Sequence, residues 1–204
     1  MRRFAPLAGL VILLAALSFS ARADQGKTDG SSPLLVSSAK VECSHKRKPA
    51  EPLDPPSTAA IPRAEAFVAS RHFKEDIAPT APVKISWLGA SFVRRFTIKA
   101  ETAEDTSLQT HALNKPSNAA QIASELGARA ESKLADVWCL LRLQASGESG
   151  ALQTGAAPNI FFVRDGMGDL GVVDVLWGGA GWEIGASPFA SPRPWIAGTR
   201  VFSP

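Results

Sequence analysis

Three charged residues near the C-terminal end of the chain have types and spacing that chemistry could use. Strand-like alternation over Leu170–Trp177 puts Leu170, Val172, Asp174 and Leu176 on one face, with Val173, Val175 and Trp177 on the other. Asp174 therefore shares its face with apolar residues. Glu183 points opposite to Trp182 and Ile184, and Arg164 ends the preceding apolar run. Gathered on one concave face, these groups would form a small polar site in an apolar pocket. A carboxylate pKa rises in such a place, and a general acid becomes available. Spread along a solvent-facing sheet, they would instead form a cross-strand ladder, worth roughly 0.2–1 kcal/mol per pair. The ladder is the expectation.

Five tryptophans and no tyrosine give the C-terminal region a second possible chemistry, since Trp177, Trp182 and Trp195 all lie there. Indole faces stack on sugar rings, but they also fill cores and brace hairpins. Trp177 and Trp182 flank the same tight connection, Gly178-Gly179-Ala180-Gly181, and read as packing. Trp195, after Pro188, Pro192 and Pro194, is the binding candidate.

Other reactive types lack the company they need. Gly89-Ala90-Ser91-Phe92 misses the closing glycine of a nucleophile elbow, and Ser149 in Gly147-Glu148-Ser149-Gly150 has the wrong spacing. His45, His72 and His111 are the only histidines, and each reads as an exposed surface residue, His111 in a polar loop. No histidine or cysteine pair has zinc-ligand spacing. Asp165-Gly166-Met167-Gly168-Asp169 carries two carboxylates on a glycine-rich loop, but a calcium loop needs more oxygen ligands, and a β-turn accounts for the same residues. No catalytic residue, no metal and no cofactor is assigned.

Cys43 and Cys139 pair most simply as one disulfide if the chain is exported. Closing a loop of about 100 residues would contribute about 4.7 kcal/mol through chain entropy. Export is indicated at the other end of the sequence. Arg2 and Arg3 precede an apolar run from Phe4 to about Phe19, followed by Ala21-Arg22-Ala23. That is the order of a Sec-type signal peptide, with cleavage after Ala23 and Asp24 as the new terminus. The run is shorter than the roughly 20 residues a membrane span requires. No transmembrane span is expected after cleavage.

The elements that position these residues divide the mature chain in two. Residues 24–62 contain Pro33, Pro49, Pro52, Pro55, Pro56 and Pro62 with many serines, and read as a flexible tail or linker. His45-Lys46-Arg47-Lys48 is a solvated charge run within it. Residues 63–204 read as a single α+β domain. A short helix is expected over Ala64–Lys74, anchored by Phe67 and Phe73, and a strand over Val83–Trp87. Phe92–Ile98 fits either a helix face or a strand side.

Asn118 to about Gln144 predicts a long helix. Ser117 or Asn118 can cap it, and Ile122, Leu126, Ala130, Leu134, Val137 and Leu141 make one apolar stripe. Gly127 kinks or splits it. Strands follow at Ile160–Val163, Leu170–Trp177, Trp182–Gly185 and Ile196–Phe202, with short connections that imply antiparallel neighbours. The expected fold is one or two long helices packed on an antiparallel sheet of about four to six strands.

Charge narrows the function class. The 204 residues hold 22 Lys+Arg against 19 Asp+Glu, and residues 1–23 carry three of the arginines and no acid. Without them 19 basic and 19 acidic side chains balance, so the clustered surplus that nucleic acid requires is absent. The sequence reads as an exported, non-catalytic binding or interaction module of the periplasm or secreted fraction. Its partner would be an envelope protein or a glycan. The alternative is a small secreted hydrolase using carboxylates on the C-terminal sheet, Asp174 and Glu183 among them.

Overall fold

A computed structural model describes residues 33–45 and 66–204. The expected signal peptide, the Ala23–Asp24 cleavage point, and residues 24–32 and 46–62 of the expected tail lie outside the described residues. The elements in chain order begin with β1 (Leu35–Cys43), β2 (Phe67–Val68), α1 (Ala69–His72), β3 (Ile85–Leu88), α2 (Ala90–Phe96), β4 (Ala100–Glu101) and β5 (Thr106–Leu113). They continue with α3 (Ala119–Leu126), a 3-10 turn at Gly127–Arg129, β6 (Glu131–Ser132) and α4 (Leu134–Leu143). The chain closes on β7 (Asn159–Arg164), β8 (Leu170–Trp177), β9 (Trp182–Pro188) and β10 (Arg200–Ser203).

The expected architecture of long helices on an antiparallel sheet is overturned. The main sheet has eight strands in the order β1-β5-β10-β7-β8-β9-β3, with β6 paired to β7 off that path. It is mixed. β7–β8 and β8–β9 are antiparallel, as their short turns require, but β10 runs parallel to β7 and β3 parallel to β9. β10 reaches its place between β5 and β7 through the long Pro-rich stretch after β9, a connection free of the hairpin constraint. The α+β class stands, with four short helices among the described residues.

The reason for the difference lies in how the sheet is covered. Phe161, Val163, Val173, Val175 and Phe202 pack against Leu134, Val137 and Leu141 of α4 and Phe92 and Phe96 of α2. On the opposite face, Ile160, Phe162, Val172 and Val201 pack against Ala119, Ile122 and Leu126 of α3. A strand buried on both faces reads as a continuous apolar run, which is what Ile160-Phe161-Phe162-Val163 is. The helical stripe from Ile122 to Leu141 therefore serves two cores on opposite sides of one sheet.

α3 ends at Gly127, and the chain crosses to the other face after Ala130, which still packs with Leu126. Gly127 caps α3 at φ +62°, where a Cβ is disfavoured, and its N–H donates to the Ala123 carbonyl. Ser132 then pairs with Val163 in β6 before α4 begins. α3 starts with a reciprocal cap: Asn118 Oδ1 accepts from the Gln121 N–H and Gln121 Oε1 from the Asn118 N–H, both at 3.0 Å.

Leu35–Cys43, inside the stretch read from sequence as a tail, is a nine-residue edge strand paired along β5. Glu125 of α3 holds its start, accepting from the Leu34 and Leu35 N–H groups at 3.1 and 2.9 Å. The Cys43–Cys139 disulfide holds its end to α4, with the Cα atoms 5.9 Å apart. Phe67 and Phe73 are buried as expected, but Phe67 lies in β2, which pairs with β4, and Phe73 follows the single helical turn of α1. Phe92–Ile98 resolves in favour of a helix. Phe92 and Phe96 of α2 are fully buried, while Ile98 lies beyond the helix and is exposed.

Candidate functional site

Asp174 sits at the middle of β8, where Ile160 of β7 and Gly185 of β9 are its cross-strand neighbours. It faces α3, and no charged residue stands directly opposite. The ladder expected from sequence is therefore absent at this position. Gly185 supplies the room: a Cβ there would lie 2.6 Å from Asp174 Oδ2. Glycine inside a strand often marks such a close approach. The missing side chain leaves a pocket of about 550 Å³ with the half-buried carboxylate among its lining groups.

Two tryptophans lie in the pocket wall. Trp87 follows from β3, half exposed, with its ring beside Gly89; a Cβ on Gly89 would be 2.9 Å from Trp87 Cη2 and 3.5 Å from Gly185 Cα. Trp195 comes from the Pro-rich strap between β9 and β10. Its backbone pairs doubly with Ser117 just ahead of α3, Trp195 N–H to the Ser117 carbonyl at 2.9 Å and the reverse bond at 3.1 Å. Proline interrupts any ladder along the strap, which is fastened by this bridge, by Phe189 edge-on to Phe162 at 6.0 Å, and at its end by the Gly198 N–H donating to the Leu113 carbonyl at 2.8 Å. Trp195 is partly buried against the α3-side core and borders the pocket.

Arg193, exposed on the same strap, is the one cation among the described residues lining the pocket. Burial pushes the Asp174 carboxyl above its ordinary value, and the Arg193 charge and the residue's own backbone N–H offset that only in part. The two side chains make no ion pair with each other or with another described residue. Ser91, Ser187 and Ser191 add neutral hydroxyls to an otherwise apolar lining.

Of the residues singled out from sequence, Asp174 and Trp195 thus meet in one pocket. Glu183 shares the face of Asp174 but stands two residues along, opposite Leu176. Its carboxylate folds over Gly178, where a Cβ would collide with it. Arg164 lies at the far end of β7, ion-paired to Glu131 at 3.0 Å and donating to the Gly168 carbonyl at 2.9 Å. The proposed gathering of Arg164, Asp174 and Glu183 does not form. Sequence reading missed Trp87, Arg193 and Gly185. The Gly185 signal, a lone glycine in a strand facing a carboxylate, was present but needed the β8–β9 register.

The remaining candidates are structural. Trp182 is fully buried, edge-on to Trp177 at 5.2 Å and donating its indole N–H to the Gln144 carbonyl at 2.8 Å. Asp165 closes its turn by accepting from the Met167 and Asp169 N–H groups at 2.9 and 3.0 Å, while Arg95 Nε binds its other oxygen at 2.7 Å. The histidines depart from the surface reading. His72 is half-buried and stacks on Phe67 at 4.5 Å. His111 lies in β5, not a loop, 8% exposed, with Nε2 3.0 Å from Ser203 Oγ and Nδ1 3.4 Å from Ser37 Oγ. That Ser–His contact is closed off from solvent, since Ser203 is 1% exposed.

The Cys43–Cys139 bond fits an oxidising compartment. Among the described residues no helix is long and apolar enough to cross a membrane. No family model matches the chain, and neither does any curated protein or solved structure.

Proposed function

We propose that this protein is an exported, non-catalytic binding module of the cell envelope or secreted fraction, and that it holds a small ligand in the pocket at Asp174. The observation that carries the reading is the pocket itself. A half-buried carboxylate lies in an apolar, tryptophan-edged cavity, and among the described residues no side chain forms an ion pair with it, the Arg193 charge acting on it only from a distance. Burying an unpaired charge opposes folding, so its retention is better accounted for by a ligand than by stability. The hydrolase alternative rests on a pair of carboxylates. Glu183 folds away toward Gly178, which leaves Asp174 as the one carboxylate among the described residues lining the pocket.

Support for export comes from the Arg2-Arg3 start, the apolar run and Ala21-Arg22-Ala23, with the disulfide as a compatible feature. N-terminal sequencing of the protein recovered from outside the cytoplasm should begin at Asp24. Retention of Met1 would contradict cleavage. Saturation-transfer NMR on a small-molecule extract of the envelope tests the pocket. Compounds held by the wild-type protein should be released by Trp195→Ala. Compounds held equally by both proteins would place binding elsewhere.

A further inference from the structure

From the placement of one anion and one cation in the same aromatic pocket, we infer that the ligand is a small zwitterion. Its ammonium end would meet Asp174 and its carboxylate or phosphate end would meet Arg193. The inference rests on the pocket reading above and specifies the chemistry of its occupant.

Three features select this class. When ionised, Asp174 is an acceptor only; it is fixed in the middle of a strand, and no described side chain donates to it. A ligand that closes the pocket removes still more water from the carboxylate, and a neutral apolar occupant would raise that cost. A cationic group removes it by pairing. The walls suit a cation as well. Trp87 and Trp195 are among the lining residues, and a positive group placed over an indole ring is attracted by its negative face.

Arg193 decides against a simple amine. The guanidinium stands close enough for its charge to act on Asp174 but makes no ion pair with it. A monocation entering the pocket would be repelled by Arg193, whereas a molecule with an anionic end meets it with a charge-assisted hydrogen bond. A simple anion would be repelled by Asp174 in turn. A molecule carrying both charges satisfies both side chains, and about 550 Å³ accommodates one of amino-acid or phosphocholine size. The hydroxyls of Ser187 and Ser191 can hydrogen-bond its polar middle.

The test is isothermal titration calorimetry on the purified protein. The zwitterionic probes are glycine betaine, phosphocholine and L-leucine. Choline serves as the monocation, acetate as the anion, and glucose and N-acetylglucosamine as neutral ligands. At least one zwitterion should bind, more tightly than choline or acetate by about tenfold. Asp174→Asn and Arg193→Gln should each weaken it by about tenfold, and Glu183→Gln should leave it unchanged. Circular dichroism on each variant separates lost binding from lost folding.

Binding of choline as tight as that of phosphocholine, with Arg193→Gln without effect, would overturn the zwitterion assignment and leave the pocket reading in place. Binding of a neutral saccharide alone would do the same. Silence from all three zwitterions also overturns the assignment. The pocket reading then stands or falls separately, on release of extract compounds by Trp195→Ala.

Discussion

Asp174, Gly185 and His111 each carry a test at the scale of one residue. Burial raises the folded-state pKa of Asp174, so the fold penalises its ionised form. That penalty is present at neutral pH and fades as pH falls through the folded-state pKa. Asp174→Asn should therefore raise the melting temperature at neutral pH, by an amount that shrinks on acidification. Scanning calorimetry showing a loss at neutral pH would mean that the carboxylate stabilises the fold. His111 has the opposite sign. Burial, and then the Arg129 charge, lower its pKa below 6.5, with Glu125 opposing. The folded ring stays neutral while the unfolded ring takes up a proton, so stability is lost as pH falls below about 6.5. His111→Gln should flatten that slope in urea titrations at successive pH values. Gly185→Ala drives a methyl group onto Asp174. It should cost about 1–3 kcal/mol and abolish ligand binding. At this scale the sequence made Asp174 visible as a carboxylate among apolar neighbours. It hid Gly185 and Arg193, because facing pairs depend on strand register and strap path.

Element boundaries were legible where local chemistry decides them. Asn118 caps α3 through its own side chain and Gln121, a motif contained within four residues. Asn118→Ala should cost about 1 kcal/mol. It should also loosen Trp195, whose backbone pairs with the adjacent Ser117, so faster amide exchange at Trp195 is the sensitive readout. The same stretch shows where local reading fails. Ile122 and Leu126 keep step with Leu134, Val137 and Leu141 as though on one helix, yet they belong to cores on opposite faces of the sheet. Gly127 is the only local trace of the break, and a glycine within a helical pattern is compatible with continuation. β1 was hidden for a different reason: among prolines and serines, its exposed outer residues give no alternation. It is held by β5, Glu125 and the Cys43–Cys139 bond. Reduction of the disulfide should cost about 2–5 kcal/mol and speed amide exchange first along β1 and the facing half of β5.

For the molecule as a whole, the two-sided burial of β7 and β8 determines where a ligand can go. Helices pack on both faces of the central strands, and the pocket opens beside Gly185 of the neighbouring β9, under the Pro-rich strap. The overall class and the disulfide could be read from sequence because composition, period and cysteine count bear on them directly. The mixed sheet could not, since β10 and β3 find their parallel partners across long separations that no local pattern records. Amide chemical-shift mapping of the ¹⁵N-labelled protein, titrated with whichever zwitterion binds most tightly, is the most direct measurement. The shifts should cluster at Asp174, Gly185, Trp87, Arg193 and Trp195. Shifts confined to the β1 edge or the Arg164 end of the sheet, with those five unmoved, would contradict the pocket as the binding site.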